Sequence, residues 1–490
     1  MTSSEDRDKQ VTALRRILET PALAQVIPQL QPELLHKIIQ SYGLEDCAEV
    51  VALATPQQLA RVFDLDLWKG PRPGVEERLD AARFGAWLEV LMDAGAEVAA
   101  AKLTGMDPDL VIGALSQHVR VCDRAADVRS RSNAETFEIG GVVLEARRED
   151  AWGTIIDLLL HLDAHHGEYF RTIMRGCREL SNEGFELDGL DGLLANDRQT
   201  MFDLAVERES RRDASGYVAP EQARVFLQMS RELALDQLEA PTTHPIAAAY
   251  FRALDWTPPA PDADETRVPP ETSGAIAEVV ELLTDAGVVA PPPRALLTGS
   301  TTNTSRLSRI EAFLATANMD EFGFLANAVV AGCPLKDRPF TEKESIDATL
   351  AVCNLGLENW PARWNPPASL IAVFQVGWRI LYRDVVMHAT EQLLGVLGQL
   401  TMADSETLSQ LADLQSVLTK SWREGTPWKA REALDVIMIL DTPAWASLLA
   451  VIAEYPVCPT DPNNFEFISC NDQVTAIHHF LNTLPSALYP

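Results

Sequence analysis

Short amphipathic helices that begin with proline are the feature that most constrains the fold of this chain. Three helix starts are alike, at Gln31-Pro32, Thr55-Pro56 and Asp107-Pro108. Proline suits the first helical position because its fixed φ is already helical and its missing N–H has no intrahelical partner there. The starts are irregularly spaced, so the sequence indicates a series of short helices without a strict repeat.

Each of these predicted helices carries one narrow apolar stripe. The first stripe consists of Leu34, Leu35, Ile38, Ile39 and Tyr42, which share one helix face. A pair of such helices is too small to bury both stripes, so consecutive pairs must stack on one another. We therefore predict an all-α fold with a superhelix or solenoid-like N-terminal part and a helical C-terminal domain.

One small β-hairpin is expected inside this helical chain, at residues 137–144. Gly140-Gly141 separates two short β-branched and aromatic runs, and glycine tolerates the positive φ that a two-residue hairpin turn requires.

The density of proline changes along the chain and suggests where the domains divide. Between Pro241 and Gly299 several proline clusters disfavour helices, and only residues 275–286 show a good helical pattern. The predicted parts are a superhelix-like domain with the hairpin at 1–240, a proline-rich linker with one helix at 241–304, and a helical C-terminal domain at 305–490.

The charge of the chain excludes several classes of function. It has 41 basic and 71 acidic residues, a formal net charge of −30 at pH 7. Phosphate backbones and anionic lipid headgroups would repel such a chain, so nucleic-acid binding through a basic surface is disfavoured. The partner that we expect is a protein with a basic surface, which this charge would attract.

Targeting and cysteine patterns favour a cytoplasmic protein. The opening MTSSEDRDKQ lacks the apolar core of a secretory signal. No apolar run approaches the roughly 18 residues that a membrane-spanning helix needs, so we expect no membrane insertion. The 7 cysteines are scattered without CxxC spacing, as in a reducing compartment.

The densest cluster of metal-ligand side chains lies in one short segment. The candidate ligands are His161, Asp163, His165, His166 and Glu168. His161 and His165 would share a helix face, and Glu168 would join them one turn later, which suits zinc or non-haem iron. The alternative is a helix end, where histidines favour the negative end of the dipole and Gly167 adopts left-handed geometry. A divalent metal here is the only cofactor that the sequence suggests.

An acidic stretch at residues 186–203 is a second candidate. Its carboxylates are Glu186, Asp188, Asp191, Asp197 and Asp203. They could hold Mg²⁺ or form an acid–base pair, since neighbouring like charges raise one pKa. The alternative is a solvated loop whose aspartates cap helices.

Residues 211–222 superficially resemble a calcium-binding loop with a central Gly216. Arg211 would stand at the first ligand position and Gln222 at the twelfth, and neither suits Ca²⁺. We expect a turn followed by a helix that starts at Pro220.

Two segments carry a family resemblance. Residues 44–51 form a short acidic helix, and residues 54–60 continue with another proline-marked helix start. This order resembles the cytosolic N-terminal superhelix of MgtE-type magnesium transporters, over residues 1–120. The resemblance implies an acidic superhelical module that is sensitive to divalent cations. The chain has no membrane domain, so transport is not implied.

The full length resembles a bacterial family of uncharacterised proteins of about 500 residues. The segments that carry this resemblance are residues 63–68, 216–218 and 340–344. That family implies no activity.

Common catalytic signatures are absent from the sequence. It contains no GxSxG, Walker A, GxGxxG or HExxH motif. The first functional hypothesis is therefore a cytoplasmic helical scaffold that binds a partner in the concave face of its N-terminal superhelix, and an enzyme is the less favoured class. The alternatives are a metal-dependent helical enzyme that uses the cluster at His161–Glu168, and a soluble sensor of divalent cations.

Overall fold

The computed structural model of this chain is mostly helical, which confirms the predicted helical class, and it contains small antiparallel sheets in addition. It describes residues 12–19, 23–122, 134–182, 203–209, 211–212, 217–233, 245–255, 270–286, 307–314, 319–336, 338–364, 367, 369–397, 413, 416–417, 419–420, 443–459 and 465–488.

The helices are numbered in chain order. The first eleven are α1 (12–18), α2 (Leu23–Val26), α3 (Pro32–Tyr42), α4 (Ala48–Leu53), α5 (Pro56–Asp66), α6 (Ala81–Asp93), α7 (Ala96–Thr104), α8 (Pro108–Leu115), α9 (Trp152–His165), α10 (Gly167–Asn182) and α11 (203–209). The next ten are α12 (Pro220–Glu232), α13 (Pro245–Asp255), α14 (Pro270–Asp285), α15 (Ser308–Leu314), α16 (Met319–Gly332), α17 (Glu342–Glu358), α18 (Leu370–Ile380), α19 (His388–Leu397), α20 (Pro443–Val451) and α21 (Asn471–Leu488).

The strands are short. They are β1 (Trp68–Lys69), β2 (Arg78–Leu79), β3 (Val119–Cys122), β4 (Thr136–Ile139), β5 (Val142–Ala146), β6 (Val457–Pro459) and β7 (Phe465–Phe467). β1 pairs with β2, and β6 pairs with β7, both antiparallel.

The chain divides into two units, each assembled from separate stretches of sequence. Unit 1 consists of Met1–Lys69, Glu77–Arg212 and Pro258–Ala290. Unit 2 consists of Gly70–Glu76, Asp213–Thr257 and Pro291–Pro490. The domain boundaries predicted after residues 240 and 304 stay a prediction.

The predicted proline helix starts are confirmed. The helices α3, α5, α8 and α12 begin at Pro32, Pro56, Pro108 and Pro220. Before α5, the Thr55 side chain accepts from the Gln58 N–H while the Gln58 side chain accepts from the Thr55 N–H. This capping box satisfies two backbone donors at the start of the helix.

The predicted hairpin is also confirmed and belongs to a larger sheet. β4 and β5 pair with Ile139 opposite Val142, and Gly140 and Gly141 have φ of 56° and 81°. β3 pairs with the other edge of β5, which gives the order β3-β5-β4. β3 was not predicted from the sequence, because its pairing depends on contact with a later segment.

The core of unit 1 forms where helices pack on their second neighbours in the chain. α3 packs on α5, α4 on α6, and α5 on α7. α9 packs on α6 and α7, while α10 packs on α8 and β3. Phe63, Phe84 and Trp87 are fully buried and pack edge to face in this core. A superhelical arrangement of these helices stays a prediction.

The core of unit 2 includes a crossing where two helices touch through their backbones. α17 and α18 meet at Gly356 and Gly377. A Cβ at Gly356 would lie 2.0 Å from the Val373 carbonyl oxygen, and one at Gly377 would lie 2.0 Å from that of Val352. Only glycine therefore fits at either position without a shift of the helices.

Within the apolar segment 369–400, the described residues form three consecutive helical parts. α18 is followed by a π-helix over Leu381–Met387 and then by α19. The Ser369 side chain caps α18 by accepting from the Ala372 N–H at 3.3 Å. Residues 398–400 lie outside the described residues.

Within the described ranges, no helix combines the length and the hydropathy that crossing a membrane would require.

Candidate functional site

The predicted metal-ligand cluster lies at the corner between α9 and α10. α9 ends at His165, and α10 begins at Gly167, so His166 alone connects the two helices. The ring centroids of His161 and His165 are 4.6 Å apart, and those of His161 and His166 are 6.3 Å apart. The corner thus brings three imidazoles together at the C-terminal end of α9, where the helix dipole favours positive charge.

The carboxylates of the cluster are placed differently from the histidines. Asp163 and Glu168 are both exposed, and Glu168 lies in the first turn of α10 instead of continuing α9. Across the described ranges, no three His, Cys, Asp or Glu side chains form a group that could hold a metal ion. The five-residue metal set stays a prediction, with the His161–His165 pair as its best-formed part.

The helix end predicted as the alternative is present, but glycine does not produce it. Gly167 is the first residue of α10, and it is not among the described residues with positive φ. The chain turns instead at His166, with φ −134° and ψ 45°, and the His166 N–H donates to the Leu162 carbonyl at 2.8 Å.

Only Asp203 of the second predicted cluster lies in the described part of the chain. Glu186, Asp188, Asp191 and Asp197 lie outside the described residues. Asp203 is exposed at the start of α11. In the calcium-like loop, residues 213–216 are also outside the described part, whereas the helix predicted at Pro220 is α12.

A buried carboxylate at the C-terminal end of α5 is a site that the sequence analysis missed. Asp66 accepts hydrogen bonds from Arg83 Nε and Trp87 Nε1, both at 2.6 Å, and contacts His36 Nε2 at 3.3 Å. Burial alone would raise the pKa of Asp66, but the bonds from His36, Arg83 and Trp87 and the charge of Arg83 outweigh it and lower this pKa. The carboxylate is therefore held ionised between α3, α5 and α6.

A second buried carboxylate lies two residues earlier. Asp64 is 3% exposed and accepts two hydrogen bonds from Arg211, from Nε at 2.8 Å and from Nη2 at 2.7 Å. Arg208 donates from Nε to the Asp64 carbonyl at 2.6 Å. This two-bond arrangement fixes the position of the Arg211 guanidinium as well as its charge.

The arginines of this region share a further carboxylate. Glu77 accepts from Arg208 at 2.6 Å and from Arg212 at 2.8 Å. The Arg208 guanidinium also lies 4.7 Å from the centroid of the Trp68 ring. The network joins the end of α5, the strand region around Glu77 and the segment after residue 203 into one part of unit 1.

The sequence contains a feature that could have identified these two carboxylates as paired groups. Asp64 and Asp66 occupy the last turn of α5, where the helix dipole disfavours negative charge. Acidic residues in that position indicate that cationic partners lie nearby, although the sequence does not say which.

Part of the positive charge of unit 1 is paired internally. Arg83, Arg208 and Arg211 are bound by carboxylates inside the unit, which offset their positive charge. Exposed carboxylates occur on three helices of the unit, at Glu49 on α4, Glu89 and Asp93 on α6, and Glu97 on α7.

A buried cation of unit 2 lies against aromatic rings. The Arg231 guanidinium lies 4.9 Å from the Tyr382 ring centroid and 5.8 Å from the Trp378 ring centroid. Arg231 is 7% exposed, and burial lowers its pKa. Trp378 Nε1 donates to the Leu227 carbonyl at 3.0 Å, which fixes one ring of this cluster.

Comparison with known proteins adds a family match over part of the chain. The sequence model of a family of unknown function (DUF6178) matches residues 9–186. The matched region includes Asp64, Asp66 and the corner at 161–168. No curated protein and no solved structure matches the chain. The family match therefore assigns no activity to this region. The comparisons also show no resemblance to MgtE-type magnesium transporters.

Proposed function

We propose that this chain is a cytoplasmic helical scaffold that binds a basic protein partner on the acidic helix faces of unit 1. The observation that carries the proposal is the distribution of charge in unit 1. Arg83, Arg208 and Arg211 are paired with carboxylates inside the unit. Glu49, Glu89, Asp93 and Glu97 are exposed on helices that lie close in the chain. An excess of exposed carboxylates attracts basic partners and repels nucleic acid and anionic membranes.

The packing order of the helices supports a superhelical form of this scaffold. Helices α3, α4, α5 and α6 each pack on the helix two places further along the chain. This is the packing order of stacked helix pairs, which produce extended binding surfaces. In the proposal, the partner lies along such a surface.

Charge reversal on α6 tests the proposal. Glu89 and Asp93 are four residues apart and share a helix face, so Glu89→Lys with Asp93→Lys reverses one compact patch. The control, Glu135→Lys with Glu138→Lys, makes the same change in charge at exposed positions near the hairpin. Both proteins should keep the helical content of the parent.

The measurement is affinity purification of the tagged full chain from a lysate of its source, with quantitative mass spectrometry. We expect a partner of basic isoelectric point at low ionic strength, weakened by added salt. The α6 variant should recover at least about tenfold less of it, and the control should recover the parental amount. Equal recovery by both variants, or no specific partner at low salt, would contradict the proposal.

Metal-dependent chemistry at the α9–α10 corner is the second candidate function, because the His161 and His165 rings lie 4.6 Å apart. Two imidazoles at this spacing can bind one transition-metal ion and leave positions open for a substrate. Elemental analysis of the purified chain tests it. We expect the parent protein to contain bound metal and the His161→Ala, His165→Ala double variant to contain none. An unchanged metal content in the variant would contradict this candidate.

A further inference from the structure

A second histidine pair lies in unit 2, and it joins two helices far apart in sequence. His388 begins α19 and His478 lies in α21. Their ring centroids are 4.6 Å apart, with 53° between the ring planes. Both side chains are half-buried, whereas the neighbouring His479 is exposed. The pair is therefore held in place by packing, unlike two histidines on an open surface.

The hydrogen bonding of His478 determines which of its nitrogens is available. His478 Nε2 lies 2.5 Å from the Asp384 carbonyl oxygen. A carbonyl oxygen only accepts, so Nε2 carries the hydrogen and the Nδ1 of the neutral ring carries the lone pair. Metal-binding histidines usually donate their second ring N–H to a carbonyl or carboxylate in this way, which orients the ring.

The backbone at this position is unusual. Asp384 lies within the π-helix Leu381–Met387. This π-helix ends immediately before His388. Short π-helical segments are rare and frequently occur at functional sites. Here the π-helix places the acceptor for His478 four residues before the other member of the histidine pair.

The spacing of the rings suits a shared metal ion. A zinc–nitrogen bond is about 2.0–2.1 Å long, so each ring centroid would lie about 3.2 Å from the ion. Two rings bound at about 90–110° to one another would then have centroids about 4.5–5.2 Å apart. The observed distance of 4.6 Å falls in this range.

We propose that His388 and His478 form a two-imidazole site for a divalent transition-metal ion of the Zn²⁺ class. In the described part of unit 2, no third His, Cys, Asp or Glu completes a metal-binding group, so the remaining coordination positions of the ion would be open to solvent. Asp384 and Glu391 are exposed near His388 in sequence and add negative charge to this region. The site is independent of the proposed scaffold function and of the His161–His165 pair.

Zn²⁺ titration by calorimetry tests the site on the full chain. The parent for all measurements is the His161→Ala, His165→Ala variant, which removes the other closely spaced pair. His388→Gln and His478→Gln should each weaken Zn²⁺ binding by about tenfold or more. His479→Gln is the matched control, because His479 lies next to His478 on α21 but outside the pair. It should bind Zn²⁺ as the parent does.

A spectroscopic measurement distinguishes direct ligation from loss of fold. Cu²⁺ bound to the parent should show two imidazole nitrogens by electron paramagnetic resonance, and either glutamine variant should show one or none. Lowering the pH should weaken binding, because protons compete for the imidazole lone pairs. Unchanged Zn²⁺ affinity in both glutamine variants, or equal losses in His479→Gln, would overturn the proposal.

Discussion

The end of α5 in unit 1 and the crossing of α17 and α18 in unit 2 are both buried, yet different physics determines each. At the end of α5, the carboxylates of Asp64 and Asp66 are bound by arginines through short hydrogen bonds. At the crossing, Gly356 and Gly377 remove every side-chain atom so that two backbones can touch. The first contact depends on the presence of particular charged groups, and the second depends on the absence of side chains.

This difference predicts how each unit responds to mutation. A buried ion pair that loses one partner leaves an uncompensated charge, and the loss depends on pH and salt. A backbone contact that gains a methyl group is separated by steric overlap, which neither pH nor salt can relieve.

Gly377→Ala should have the largest effect. The added Cβ would lie 2.0 Å from the Val352 carbonyl oxygen, which belongs to a helix backbone and cannot rotate away. We expect the free energy of unfolding to fall by more than about 3 kcal/mol, at any ionic strength. Chemical denaturation followed by tryptophan fluorescence measures it.

Gly323→Ala in α16 is the control for this variant. It also replaces a helical glycine of unit 2, but no heavy atom lies within 4 Å of its added Cβ. It should be neutral or stabilising by about 0.5–1 kcal/mol, because alanine favours the helix. Equal destabilisation by both substitutions would disprove the steric explanation.

Asp64→Ala should rank second. It leaves Arg211 without its two-bond acceptor in a part of unit 1 where Asp64 is 3% exposed. Because Arg211 is partly exposed, we expect a loss of about 2 kcal/mol, below the range for a fully buried pair. The double variant with Arg211→Ala should lose less than the sum of the two single variants.

Asp157→Ala on α9 provides the comparison, because Asp157 is exposed. It should change the free energy of unfolding by less than about 0.5 kcal/mol. If Asp64→Ala behaved like Asp157→Ala, the buried network would not stabilise unit 1.

His118 should make unit 1 sensitive to acid. Its side chain is fully buried and its Nε2 lies 2.8 Å from the Ala81 carbonyl; burial lowers the pKa of His118. In the unfolded chain this histidine has a pKa of about 6.5, so it binds a proton more readily than in the folded chain. This contribution to stability is complete above that pH and is lost as the pH falls toward the lower folded pKa.

The expected slope is at most about 1.4 kcal/mol for each pH unit below about 6.5. Urea denaturation between pH 5 and 8 measures it. His118→Gln should reduce the slope, whereas His479→Gln, at an exposed position, should leave it unchanged. If the free energy of unfolding depends on pH as steeply in His118→Gln as in the parent, groups other than His118 cause the acid sensitivity.

Two capping boxes give the smallest and best-matched comparison between the units. Thr55 caps α5 in unit 1 with Gln58, and Thr341 caps α17 in unit 2 with Glu344. Thr55→Ala and Thr341→Ala should each reduce the free energy of unfolding by about 1 kcal/mol, because each exposes the same backbone donors.

Differential scanning calorimetry of the two threonine variants measures this pair. Thr172→Ala, at an exposed position inside α10, serves as the control and should have a smaller effect. A loss from only one of the two caps would show that the units differ in local helix stability as well as in their cores.

The elements predicted correctly are those that depend on neighbouring residues. Proline at Pro32, Pro56 and Pro108 fixes helix starts through its own ring geometry. Gly140-Gly141 determines the hairpin because both residues must adopt positive φ. These interactions span only a few residues, so the local sequence pattern is sufficient to predict them.

The predicted metal cluster shows where this local reasoning ends. Helical spacing correctly placed His161 and His165 on one face, with their rings 4.6 Å apart. It did not place Glu168, because the direction of the chain after His166 depends on how α10 packs against α8 and β3. The pair of His388 and His478 was not predicted at all, since 90 positions of sequence separate its members.

The sequence by itself determined the helical class, the proline-marked helix starts, the hairpin turn and the strongly acidic charge, because each follows from composition or from residues close together in the chain. Only the tertiary structure decided which arginines bind Asp64 and Asp66, which glycines lie at the crossing of α17 and α18, and which histidines meet. These contacts join residues that are far apart in the chain, so the residues next to either partner do not indicate the contact. Packing of the whole unit brings them together.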